Sequence, residues 1–319
     1  MIESPEPISP QSSTVETAYM VGLFAIITLL LDRLPYLSSP FVIYSILGCI
    51  PLFLSSKPRR NDLWIALLLS AAFFAELRVF GHSILNSLAL GPGFASIQTL
   101  FLGRRRRESR IVLPIALLYA FWIYLSLPLF WVLIPHLTPH TIDTTLHSID
   151  FGIGDSFYRF AKVHVAVSSF FWLIYDSLPL AGAVVISFEV AGERRRTALL
   201  LLCALVAAVP FYLAFPAVGP AHIHDPVAQR NCIPSMHFSW ALLLCAFSRR
   251  RWLRKTMIVY AALTAVATLT TGEHYFIDLI VTAPFTYLFL GVADGLWTGL
   301  PEIHDDEGVG IATSIPDYR

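Results

Sequence analysis

Apolar positions in this chain gather into long blocks separated by short polar loops. The blocks lie at about 18–34, 38–55, 63–80, 83–102, 111–135, 166–190, 197–217, 236–248, 256–272 and 275–297. Each is close to the roughly 17–25 residues that cross a hydrocarbon core about 30 Å thick, so the pattern predicts about ten transmembrane helices. The block at 83–102 is interrupted by Gly91, Pro92 and Gly93 and contains Asn86, which leaves a re-entrant or interfacial helix as its alternative. The blocks at 236–248 and 256–272 are short, as expected where a helix end stops in a protein-lined cavity that tolerates unpaired backbone groups.

Composition agrees with the pattern. Of 319 residues, 56% are hydrophobic and 14% charged, against about 45–50% and about 25% in soluble domains. Mean hydropathy is +0.66. Polar material is too scarce to cover a water-soluble particle, so most of the chain has lipid as its solvent. Disorder, a collagen-like fibre and a secreted disulfide scaffold are excluded. Of the four cysteines, Cys49, Cys203 and Cys245 sit in apolar runs and only Cys232 in a polar loop. Net charge is zero and the pI about 7.2, which argues against a nucleic-acid partner.

The distribution of charge sets the orientation. Sixteen of the 22 Lys and Arg residues fall in four short loops, at 57–60, 104–110, 194–196 and 249–255. The positive-inside rule puts all four in the cytoplasm. The count closes only if 83–102 crosses, giving a protein of the plasma or inner membrane with both termini inside. Histidines from His82 to His274 then fall at outer loops or outer span ends, and candidate chemistry belongs to the extracytoplasmic face. The expected organisation is a polar tail at 1–17 without signal-peptide features, accessory spans over 18–102, a bundle over 111–298 and a cytoplasmic tail at 299–319.

Two segments carry candidate chemistry. In Asn231-Cys232-Ile233-Pro234-Ser235-Met236-His237, Pro234 suits a first helical turn. The amides of Ser235, Met236 and His237 would then point out of a helix N-terminus, where unpaired donors and partial positive charge attract phosphate. His237 would stand where it can protonate a departing oxygen. The plainer alternative is a capped helix start with an incidental histidine. In Gly272-Glu273-His274-Tyr275-Phe276-Ile277-Asp278, His274 and Asp278 are four apart and so share a helical face. A carboxylate there can fix the imidazole tautomer and leave the other nitrogen free to attack. The alternative is a buried hydrogen-bonded pair. Metal ligation is disfavoured, because the spacing lacks a His-x3-His pair with a nearby Glu and His222-Ile223-His224-Asp225 is too local to be diagnostic.

Jointly, Pro234-Ser235-Met236-His237 and His274-Tyr275-Phe276-Ile277-Asp278 resemble the second and third motifs of the type-2 phosphatidic acid phosphatase superfamily, over residues about 111–298. Their form is closest to its branch of inositol phosphorylceramide and sphingomyelin synthases. The resemblance implies an all-helical membrane enzyme with a six-helix catalytic bundle and metal-free, cofactor-free phosphoryl transfer. It makes His274 the nucleophile that becomes phosphohistidine, Asp278 its orienting partner and His237 the acid and later the base. The basic residues of the phosphatase branch are missing: Thr268 stands six before His274, and Phe215-Pro216-Ala217-Val218-Gly219-Pro220 fills the upstream loop. Arg230, with the Ser235 and Met236 amides, is the candidate phosphate ligand in their place. The missing cations favour transfer to an alcohol over hydrolysis by water. The rival from a different class, a lipid transporter or flippase, predicts polar groups scattered at mid-depth and an inverted repeat, neither of which the sequence presents.

Overall fold

The computed structural model describes residues 37–223 and 228–298. The block expected at 18–34, both tails, His224 and Asp225 lie outside the described residues. Among the described residues the chain is helical with no strand, and these residues divide into two compact units, 37–120 and 121–298.

In the first unit, α1 (Pro40–Leu47) and α2 (Cys49–Ser55) meet at Gly48, followed by α3 (Arg60–Val79) and α4 (Ile84–Leu102). The start of α3 is fixed by Asp62, whose carboxylate accepts the Arg59 N–H at 2.6 Å. That of α4 is fixed by Ser83, whose hydroxyl accepts the Asn86 N–H. The Gly-Pro-Gly interruption does not break α4, which runs continuously through Pro92. Its glycines are contact points. A Cβ on Gly91 would stand 3.1 Å from the Ser70 carbonyl oxygen of α3, and one on Gly93 would stand 2.4 Å from that of Ile46 in α1. Small residues let helix backbones approach closely where lipid supplies no hydrophobic drive for association.

Helix α5 (Arg107–Pro128) crosses the unit boundary and continues through a π-helical stretch, Leu129–Leu133, to Leu137. The second unit continues with α6 (Asp143–Ile149), α7 (Ile153–Val163), α8 (Val165–Asp176), α9 (Leu178–Phe188), α10 (Ala191–Ala214), α11 (Met236–Phe247), α12 (Arg251–Thr270) and α13 (Phe276–Thr298). The block expected as one span at 166–190 is the pair α8 and α9, bent by 44°. Pro179 explains the bend: it has no N–H for the Tyr175 carbonyl, and its ring crowds that carbonyl. Short α11 is the centre of this unit and packs against α9, α10, α12 and α13. Its Trp240, Leu243 and Leu244 are fully buried.

Four helices among the described residues are long and apolar enough to cross a bilayer: Ile84–Leu102, Arg107–Leu137, Glu193–Ala214 and Phe276–Gly295. The bent pair makes a fifth, and Pro40–Ser55 and Met236–Phe247 are apolar but shorter. Charged residues keep α3 and α12 outside this set, with Arg60, Asp62, Glu76 and Arg78 on one and Arg251, Arg254 and Lys255 on the other. Wide apolar faces stay uncovered, including Leu67 and Leu68 on α3 and Tyr287, Leu288 and Val292 on α13. Together these features make the chain an integral membrane protein.

Candidate active site

His274 lies just ahead of α13, in the turn that enters it, and is 1% exposed. The expectation that it shares a helical face with Asp278 is met in a modified form, because the helix begins only at Phe276. Asp278 is the third residue of that helix, and its Oδ2 accepts the Tyr275 N–H at 2.8 Å, capping the first turn. The same oxygen is 3.5 Å from His274 Nδ1. A nearer partner fixes the ring: Nδ1 is 3.1 Å from the Cys232 carbonyl oxygen. A carbonyl only accepts, so that contact requires the proton on Nδ1 and leaves the lone pair on Nε2. Sequence spacing pointed to Asp278 as the group that selects the tautomer; the tertiary fold adds a backbone carbonyl 42 residues upstream.

The turn holding His274 is clamped from both sides. Gly219 has φ 84 and ψ 162, a region open essentially to glycine, and a Cβ there would stand 2.4 Å from the Glu273 carbonyl oxygen. Gly272, at φ 76, packs against Ala221 and the ring of Tyr158, and its carbonyl accepts the Ala221 N–H at 3.0 Å. The segments 217–221 and 272–275 thus run against each other closer than any side chain would permit. Asp143, 2% exposed, ties them: it accepts the N–H groups of Val218 and Gly219, each at 3.2 Å, and the Tyr275 hydroxyl at 3.0 Å. Asp150 adds a second tie, accepting from Gly154 at 2.7 Å and from Ile277 at 3.2 Å. Neither aspartate belongs to a motif that the sequence presents. Asp150 stands two residues before Gly152, whereas Asp143 carries no local signal because its partners Val218 and Tyr275 lie 75 and 132 residues away.

His237 sits in the first turn of α11, half-buried, its ring stacked on Tyr175 with centroids 3.6 Å apart. Tyr175 comes from α8 and is braced edge-on by Trp172. The tyrosine is thus the platform for a candidate acid. Helix α11 starts at Met236, two residues later than Pro234 suggested, and the Ile233–Pro234 bond is cis. The Tyr212 hydroxyl donates to the Pro234 carbonyl at 2.9 Å. Ser235 is the N-cap, its hydroxyl accepting from Phe238. Its N–H, expected to face a phosphate, donates instead to Thr282 Oγ1 at 2.8 Å, because the buried start of α11 is sewn to α13 by hydroxyls. A second stitch joins Ser239 to Thr286. Met236 and His237 follow Ser235 in the first turn of α11. Arg230 is 4% exposed, in the loop two residues ahead of Cys232.

Cys232 Sγ, an imidazole nitrogen of His274 and a carboxylate oxygen of Asp278 lie within 4.8 Å of one another, all buried, in an arrangement able to hold a metal ion. The donor chemistry fits poorly. The Cys232 thiol is committed as a donor to the Glu273 carbonyl at 3.0 Å. Burial, reinforced by the neighbouring carboxylates of Asp278, Asp143 and Glu273, pushes it well above the usual thiol range, whereas a metal ligand must be the thiolate. Burial likewise raises the Tyr275 phenol, together with the Asp143 carboxylate it donates to, and keeps that hydroxyl a donor.

Neither the curated proteins nor the solved structures contain a match to this chain. A family match does exist, over a narrower stretch than the 111–298 suggested by the motifs, and it contains both histidines, Asp278, the Cys232 carbonyl and the Gly219-facing turn at 272–275. Residues 221–292 match the family model described as the PAP2 superfamily.

Proposed function

We propose that this protein is a membrane phosphoryl-transfer enzyme acting on a lipid phosphate or phosphodiester at the extracytoplasmic face. His274 Nε2 attacks phosphorus while the bond to the leaving oxygen breaks, and His237 as imidazolium donates its proton to that oxygen. An acceptor hydroxyl then attacks the phosphohistidine, its proton passes to His237, and the Nε2–phosphorus bond breaks. Asp278 and the Cys232 carbonyl hold the ring, and the developing charge is met by Arg230 and the Met236 and His237 amides. The observation that carries this reading is the Nδ1 contact to a carbonyl, which leaves Nε2 with its lone pair, inside the segment that matches the PAP2 superfamily.

Transfer to an alcohol, as in the inositol phosphorylceramide synthase branch, is favoured over hydrolysis by water. The position where the phosphatase pattern has arginine is Thr268, fully buried, with its hydroxyl donated to the Ala265 carbonyl. A site with fewer cations stabilises less free charge and depends more on orientation. The test is to incubate the purified protein with 32P-labelled phosphatidic acid and quench in alkali, where phosphohistidine survives. Label should appear on the wild type, be absent from His274→Ala, and be chased off by alcohol. Absence of label on an active wild type, or activity abolished by EDTA, would overturn the mechanism.

A further inference from the structure

A cavity of about 360 Å³ opens beside the turn at 270–273, and nothing in the mechanism above uses it. Among its walls are Tyr158 and Lys162 of α7, Ser169 and Trp172 of α8, His222 and Glu273. The size is that of a small-ligand site, at the lower end of roughly 300–1,000 Å³. The cavity is built by close approach: Tyr158 packs directly on Gly272. His222 Nε2 and Glu273 Oε1 are 2.9 Å apart across one wall. The Lys162 ammonium lies over the Tyr158 ring, 5.6 Å from its centroid. Glu273 is the residue before the proposed nucleophile, so this wall and His274 are one Cα step, about 3.8 Å, apart along the chain.

We infer that this cavity is the acceptor subsite, and that it takes a small polyhydroxy alcohol, the inference resting on the phosphoryl-transfer reading. The walls offer a carboxylate–imidazole pair, an ammonium and a hydroxyl, groups that donate and accept on several sides but sum to little net charge. Such a lining pairs several hydroxyls at once and gives a bare anion no cluster of cations. Tyr158 and Trp172 add aromatic surface to the lining, against which the C–H side of such a molecule packs. His222, Glu273 and Lys162 make the lining polar and ionic, which suits an acceptor arriving from water. Held there, one hydroxyl attacks phosphorus on His274, its proton going to His237 as the nitrogen–phosphorus bond breaks. Orientation of the acceptor, rather than activation of it, is what makes transfer outrun hydrolysis.

The experiment follows the fate of phosphate from phosphatidic acid in phosphatidylcholine vesicles, with glycerol or ethanol added at equal concentrations. Mass spectrometry reads the ratio of alkyl phosphate to free phosphate. Wild type should favour glycerol over ethanol at least tenfold. His222→Ala and Glu273→Gln should each lower the glycerol transfer-to-hydrolysis ratio at least tenfold and erase the preference, through a raised KM for glycerol. Ser169→Trp, which fills the cavity from the rim of α8, should do the same and serves where either other variant fails to fold. Equal use of both alcohols, or a ratio unmoved by the variants, overturns the subsite and leaves the phosphohistidine mechanism standing. A wild type that releases phosphate to neither water nor alcohol overturns both.

Discussion

Glycine does different work in the two units. In 37–120, Gly91 and Gly93 lie in the middle of a helix with ordinary helical backbone, and their missing side chains let α4 touch α3 and α1. In 121–298, Gly219 and Gly272 lie in loops at positive φ, and their missing side chains let one loop rest on the carbonyls of another. The first pair sets how tightly helices pack. The second sets where the Nδ1 of His274 finds its carbonyl, and hence which nitrogen is basic. Equal crowding around the missing Cβ therefore predicts opposite phenotypes, one in stability and the other in turnover.

The largest effect sets the scale for that contrast. His274→Ala should lower turnover of a labelled lipid phosphate by at least roughly a thousandfold, as loss of a nucleophile does, while leaving the Cys232 carbonyl without its donor costs only about 1–3 kcal/mol of stability. Gly219→Ala comes next. A methyl 2.4 Å from the Glu273 carbonyl oxygen must push the 272–275 turn aside, and a displacement near 1 Å costs roughly a hundredfold in rate. Retained activity in that variant would show that the two loops need not touch. Asp143→Asn should cost less. It keeps one acceptor oxygen for Val218, Gly219 and Tyr275 but adds donors that face donors, costing about 1–3 kcal/mol of stability, with turnover down about tenfold and Tyr275→Phe milder. Gly93→Ala should leave turnover per folded molecule unchanged while destabilising by about 1–3 kcal/mol through overpacking against Ile46. A drop in turnover there without a drop in stability would break the division of labour. Thermal unfolding in one detergent, paired with initial rates, checks all five variants.

The family match and the apolar helices rest on signals that lie along the chain. Block length against bilayer thickness marked a membrane protein, and the spacing of Pro234, Ser235, His237, His274 and Asp278 marked the segment that matches the PAP2 superfamily, because both signals are local. Local reading stops short where packing decides. Gly91-Pro92-Gly93 left a re-entrant helix open as the alternative to a crossing, and the helix runs uninterrupted, with neighbouring backbones close against its glycines. The Ser235 amide reads as a phosphate donor, yet Thr282, 47 residues away, takes it.

By itself, then, the sequence determined the solvent of the chain and which side chains are fit for the chemistry, since hydropathy and motif spacing need no partner to be read. Only the tertiary structure decided the tautomer of His274, the stacking of His237 on Tyr175 and the clamping role of Asp143 and Asp150. Each of these is a contact between segments from 42 to 132 residues apart. Hydrogen bonds and ring stacking act only over a few ångströms, and folding alone brings such distant segments within that range.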